Sequence, residues 1–127
     1  MEFKMNEKGF ETTVDYGTLH ISGNEEYGFR PFQLLVSSIA VCSGGVLRKV
    51  LERMRMSFDD ITVQAKVTRV EDEPNRISDI QLHFVIKGSE LSEDKMEKAL
   101  KVTRKNCSMV QSVKDSIHIT ESFEIIV

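Results

Sequence analysis

From Phe32 to Met54 the apolar positions of this chain recur at helical spacing, and its first two-thirds, Pro31 to Leu47, form a 17-residue run without a charge. Leu35, Ile39, Cys42, Val46 and Val50 fall on one face, and Leu34, Val41, Leu47, Leu51 and Met54 are spread around the rest. Pro31 suits the first helical turn, where its missing N–H costs nothing. The spacing predicts a helix from Pro31 to about Met56, about 39 Å long at about 1.5 Å per residue, as long as a small domain is wide. A helix apolar almost all round needs cover on every side, more than one chain of this size supplies, so a second subunit is predicted to provide it. Gly44-Gly45 points the same way, because paired glycines weaken a helix and are explained by close approach of another backbone. A slight break in the helix at these glycines is the plainer alternative.

The remaining pattern is mostly of period two. Before Gly28, the segments Phe3–Met5, Phe10–Val14 and Thr18–Ser22 are separated by Gly9, Gly17 and Gly23, the punctuation of an antiparallel meander. Ile61–Val67 and Ile80–Ile86 alternate cleanly around the turn Glu71-Asp-Glu-Pro-Asn75 and predict a hairpin with one buried face. Ser92 followed by Glu93 and Asp94 opens a second helix, with Met96, Ala99, Leu100 and Thr103 inward. Cys107 to about Val113 reads as a short third helix. Ile117, Ile119, Phe123, Ile125 and Val127 then alternate in a closing strand or pair. Strand-rich ends around a long helix and a helical pair give an α+β fold in a single domain spanning 1–127, with parallel βαβ architecture disfavoured.

Composition narrows the classes. With 127 residues, 40% apolar and 29% charged, the chain has the balance of one globular domain. Seventeen basic against twenty acidic side chains leave a net charge of −3 without blocks of like charge, which argues against nucleic acid or anionic lipid as partner. The N-terminus lacks the apolar core of a secretory signal, and the Pro31–Leu47 run is too polar at Gln33, Ser37, Ser38 and Ser43 for lipid. A cytoplasmic protein with no membrane partner is expected, its thiols free or transiently paired.

The candidate chemistry rests on two cysteines, Cys42 and Cys107. A thiol is a nucleophile only where its thiolate is stabilised by a cation, a hydrogen-bond donor or a helix N-terminus. Cys42, mid-helix, cannot use its own helix's dipole and calls for an imported cation from Arg30, Arg48, Arg53, Arg55 or the partner subunit. Cys107 lies in the first turn of the third helix if Asn106 caps it, where free amides lower a thiol pKa. Inert packing is the bland reading for each, since free cysteine behaves as a small hydrophobe. His20, His83 and His118 each sit opposite the apolar positions of a strand and are expected to face solvent. Without a CxxC pair or a histidine at helical spacing from a cysteine, no metal site or cofactor is expected.

Pro31-Phe-Gln-Leu-Leu-Val-Ser-Ser-Ile-Ala-Val-Cys42, followed by Cys107-Ser-Met-Val-Gln-Ser-Val113 ahead of an alternating C-terminal strand, resembles the OsmC/Ohr family of osmotically induced and organic hydroperoxide resistance proteins. The resemblance implies antiparallel sheets around a long central helix and an intertwined homodimer with two active sites at the subunit interface. It implies thiol-dependent reduction of organic hydroperoxides: Cys42 attacks the peroxide and becomes a sulfenic acid, Cys107 resolves it as a disulfide, and a small dithiol or other thiol restores the pair. The chain departs from the active pattern at three positions. Phe32 stands where active members have a glutamate, no arginine precedes Arg30, and Ser108 replaces the proline that usually follows the second cysteine. Arg30 is the candidate to supply the missing cation. The alternative is a non-catalytic dimer that binds a small apolar or thiol ligand at the interface, with Phe32 filling the place of the acid; a third is a thiol enzyme acting on another substrate.

Overall fold

The computed structural model describes all 127 residues, Met1–Val127. The elements follow the order β1 (Lys4–Met5), β2 (Phe10–Val14), β3 (Gly17–Ile21), α1 (Pro31–Arg53), β4 (Asp60–Arg69), β5 (Ile77–Lys87), α2 (Glu93–Asn106), α3 (Ser108–Val113) and β6 (His118–Ile126). They divide into two compact units, Met1–Ser37 and Ser38–Val127, with α1 beginning in the first and continuing into the second.

The first unit is the antiparallel meander β1-β2-β3 expected from the glycine punctuation. The turn into β2 is closed by Asn6, whose side-chain oxygen accepts the Gly9 N–H at 2.7 Å. A Cβ at Gly9 would lie 2.3 Å from the Ile21 carbonyl oxygen, so only glycine permits that approach. Gly28 is held as tightly against His20 O, and Phe29 N–H then bonds that carbonyl at 2.8 Å. The buried residues of this unit are Thr12 and Ser22, both polar, while Phe3, Met5, Phe10, Tyr27, Phe29 and Leu35 are exposed. A three-stranded sheet that buries no apolar side chain lacks the term that usually stabilises one.

The second unit holds the core. The inner face of β5 supplies Ile80, Leu82, Phe84 and Ile86, and α2 contributes Met96, Ala99, Leu100 and Thr103, the inward face expected from its spacing. Ser92 caps α2 by accepting the Lys95 N–H. The predicted hairpin is present and longer than its alternating centre, with Val63 opposite Phe84 and Ile61 opposite Ile86. β6 pairs with β5 in parallel, Ile80 opposite Ile119 and Phe84 opposite Phe123, so the expectation that parallel pairing is disfavoured is corrected. The two helices between these strands form the long crossover that parallel neighbours require. The class remains α+β.

α1 is 23 residues long, about 35 Å at about 1.5 Å per residue. It stops three residues before the expected end, because Met56 N–H bonds Leu51 O and Arg55 N–H bonds Glu52 O, the two bonds of a Schellman motif, with Arg55 left-handed at φ 56. Length and composition alone would let α1 cross a membrane, but Ile39, Ser43, Leu47, Val50 and Leu51 lie in the protein core. Of the face grouped by spacing, Ile39 and Val50 are buried while Leu35, Cys42 and Val46 are not, and Ser43 is fully buried. Ser43 hid the true stripe, because a small polar residue does not register in an apolar count. Only one side of α1 is covered: Val41 is 73% exposed, and the space beside Gly45 is open, whereas a Cβ at Gly44 would meet Val63 Cγ2 at 3.0 Å.

Candidate functional site: two thiols at the start of α3

α2 ends at Asn106 and α3 begins at Ser108, so Cys107 is at once the C-cap of one helix and the N-cap of the next. Its backbone N–H bonds Thr103 O at 2.9 Å, and its side chain is fully buried. Asn106 does not cap α3; its amide nitrogen donates to Val102 O at 2.8 Å. Cys107 is therefore not in the first turn of α3, as the sequence suggested, but one residue ahead of it. Ser108 and Met109 form that turn and present free backbone N–H groups.

Those groups face Cys42, which lies on the partly exposed side of α1 next to the buried Ser43. The Ser108 hydroxyl is 3.8 Å from Cys42 Sγ. Burial pushes the Cys42 thiol up, but the Met109 N–H, the Cys107 thiol, the Ser108 hydroxyl and the Ser108 N–H outweigh it, and the net shift is downward. Cys107 moves the other way. Burial raises it, the Cys42 sulfur raises it further through the shared hydrogen bond and as a neighbouring charge, and the N–H groups of Val110 and Met109 offset this only in part. Between the two thiols the proton therefore stays on Cys107 and the charge develops on Cys42.

The stabilisers named for Cys42 are neutral donors drawn from residues 107 to 109, so a cation is not what lowers it. Arg48 is engaged with Glu52 at 3.6 Å on an exposed face of α1, and neither Arg53 nor Arg55 contributes to the shift of Cys42. Arg30 belongs to the first unit, where its guanidinium lies 4.9 Å from the centre of the Phe32 ring. His20 and His118 face solvent as expected; His83 is half-buried and bonded to Ser122 Oγ at 2.7 Å and Glu124 Oε1 at 3.1 Å. No group of three or more His, Cys, Asp or Glu side chains is placed to hold a metal ion.

Val46 and Val50, one and two turns along α1 from Cys42, together with Met54 just past the helix end and Val102 of α2, floor a groove of about 310 Å3. Lys49, Arg53 and Asn106 complete its lining. From the sequence, Ser108 had no role beyond relaxing the start of α3; the signal was its place as first helical residue after a cysteine.

Residues 23–122, spanning the Pro31–Cys42 run and the Cys107–Val113 segment, match the family described as OsmC-like protein. The chain belongs to this family. Protein YhfA of Escherichia coli strain K12 is 25% identical over 97 residues, covering 76% of this chain and 72% of that protein. Among solved structures, a hypothetical protein from Aquifex aeolicus VF5 is 27% identical with a TM-score of 0.86, covering 98% of this chain and 92% of the other. An organic hydroperoxide resistance protein OsmC from Legionella pneumophila shares the fold at 16% identity and a TM-score of 0.73, covering 99% and 94%. The OsmC-like fold expected from the two cysteine segments is thus the fold found.

Proposed function

We propose that this OsmC-like protein is a thiol-dependent organic hydroperoxide reductase in which Cys42 is the peroxidatic and Cys107 the resolving cysteine. The observation that carries the reading is the meeting of the two cysteine segments, with Cys42 Sγ 3.8 Å from the hydroxyl of Ser108, the neighbour of Cys107; the opposite shifts, Cys42 downward and Cys107 upward, agree with it. The Cys42 thiolate attacks the outer oxygen of a hydroperoxide, an S–O bond forms as the O–O bond breaks, and the alkoxide leaves to be protonated to the alcohol. Cys42 is then a sulfenic acid. Cys107, kept protonated until this point, loses its proton and attacks the Cys42 sulfur; the disulfide forms and the hydroxyl departs as water. A small dithiol or other thiol returns both residues to the reduced state by exchange. The site needs no cofactor or metal for these steps. The groove lined by Val46, Val50, Met54 and Val102 suits the alkyl part of the substrate.

The working protein in this reading is a cytoplasmic, intertwined homodimer. Support comes from the open face of α1 at Val41 and Gly45 and from a first unit that leaves its apolar side chains exposed. The competing reading, a non-catalytic dimer that holds a small apolar or thiol ligand, draws on Phe32 in place of an acid. Two variants separate them. Cys42→Ser is expected to abolish peroxide consumption, while Cys107→Ser completes one turnover and accumulates a sulfenic acid that dimedone traps. Undiminished consumption in Cys42→Ser would end the peroxidase reading.

A further inference from the structure

We propose that Ser108 is a catalytic residue of this chain, its hydroxyl donating to the Cys42 sulfur and then passing a proton to the departing alkoxide. The inference rests on the hydroperoxide reading above and assigns a group that the resemblance does not carry, since the usual residue after the second cysteine is a proline, with neither a hydroxyl nor an N–H. Three observations converge. Ser108 is the first residue of α3, its backbone fixed by the Cys107 cap before it and by the Ser112 hydroxyl, which donates to Ser108 O at 2.7 Å. Its hydroxyl stands 3.8 Å from Cys42 Sγ, a long contact that the larger radius of sulfur allows, and once Cys42 is a thiolate only the hydroxyl can be the donor. It is also exposed, so a hydroperoxide approaching Cys42 meets it.

The chemistry calls for such a donor. Attack by the thiolate on R–O–O–H leaves Cys42–S–OH and RO⁻; the sulfur gives up two electrons, the peroxide takes them, and one proton is needed to complete ROH. A hydroxyl bonded to the attacking sulfur lies beside the S···O···O line of the displacement. As the charge moves from sulfur to the leaving oxygen, one atom beyond the transferred oxygen, the hydroxyl can turn to follow it. It gives its proton to RO⁻ and recovers one from water at the exposed mouth. The same donor supports the thiolate beforehand, alongside the N–H groups of Ser108 and Met109.

The test replaces the hydroxyl and keeps the N–H. Ser108→Ala removes only the former, at an exposed position where Cys107 remains the cap, and circular dichroism with a melting curve checks that the fold is kept. Three readouts follow in the full-length protein. With iodoacetamide as probe and peptide mass spectrometry to isolate Cys42, the inflection of alkylation rate against pH is expected to move upward. With cumene and tert-butyl hydroperoxides, the second-order rate is expected to fall about tenfold, the scale of one hydrogen bond to an ionised group. Across hydroperoxides whose alcohols differ in acidity, the rate of Ser108→Ala is expected to depend more steeply on that acidity than the wild type's, and Ser108→Thr to restore wild-type behaviour. An unchanged alkylation profile, or an unchanged dependence on the leaving alcohol, would overturn the assignment. Because alkylation requires no peroxide, it decides the contact between Ser108 and Cys42 even if the wild-type protein consumes no hydroperoxide; failure of turnover alone would count against the reductase reading instead.

Discussion

Cys42 and Cys107 differ in what surrounds them more than in what they are. One thiol receives four donor contacts at a partly open surface, and the other is sealed in the core with a sulfur as neighbour. Site-resolved alkylation is therefore expected to show Cys42 reacting with an inflection below the ordinary thiol value, and Cys107 resisting until pH is well above it or the protein unfolds. Equal profiles for the two would contradict the geometry. The linked stability has opposite signs. The depressed Cys42 contributes stability that is present above its unfolded pKa and lost as pH falls through the folded one; the raised Cys107 contributes below its unfolded pKa and loses it as pH rises through the folded one. Both thiols were legible in the sequence as candidates, but the source of support for Cys42 was not: a cation was expected there, and the structure supplies neutral donors from residues 107 to 109. The sequence located the start of α3 one residue early, and that single position decides whether the N–H groups of Ser108 and Met109 open the helix and meet Cys42. No periodicity reports which side chain from a distant segment faces a helix end.

At the scale of elements, spacing foretold α2 and its inward face, the β4–β5 hairpin and the meander, because each repeats a simple period over several residues. The parallel pairing of β6 was missed, since strand direction depends on the path of α2 and α3 and not on the strand's own pattern. The Schellman end of α1 yields a prediction. Arg55 occupies a left-handed conformation that costs a non-glycine residue about 1–2 kcal/mol, so Arg55→Gly is expected to stabilise the fold by about 1 kcal/mol in a denaturant titration. A loss of stability would mean that the Arg55 side chain contributes more than its backbone costs. Gly45 gives a second. Its surroundings are open within one chain, so a large side chain is tolerated by the subunit itself. In an assembly where a second backbone approaches there, Gly45→Leu is expected to lower the dimer fraction in sedimentation velocity while leaving the helical signal intact. An unaltered dimer would remove α1 at Gly45 from the interface.

For the whole molecule, the distribution of burial is the informative fact. Apolar cover is concentrated in Ser38–Val127, while the first 37 residues expose Phe3, Phe10 and Phe29. Such surfaces are ordinarily closed by association. The particle is expected to sediment at about twice the 14.5 kDa subunit mass, and a monomer at micromolar concentration would leave the first unit without a stabilising partner. The all-round apolar character of α1 in the sequence leads to the same expectation.

The central claim is that Cys42 and Cys107 form one peroxide-driven redox pair, and its most direct test is a free-thiol count with intact mass before and after one equivalent of cumene hydroperoxide. The account predicts that both thiols disappear together, that the subunit becomes lighter by about 2 Da as two hydrogens leave, and that dithiothreitol reverses the change. Two unreacted thiols at unchanged mass would contradict it and turn attention to what the groove between α1 and α2 binds.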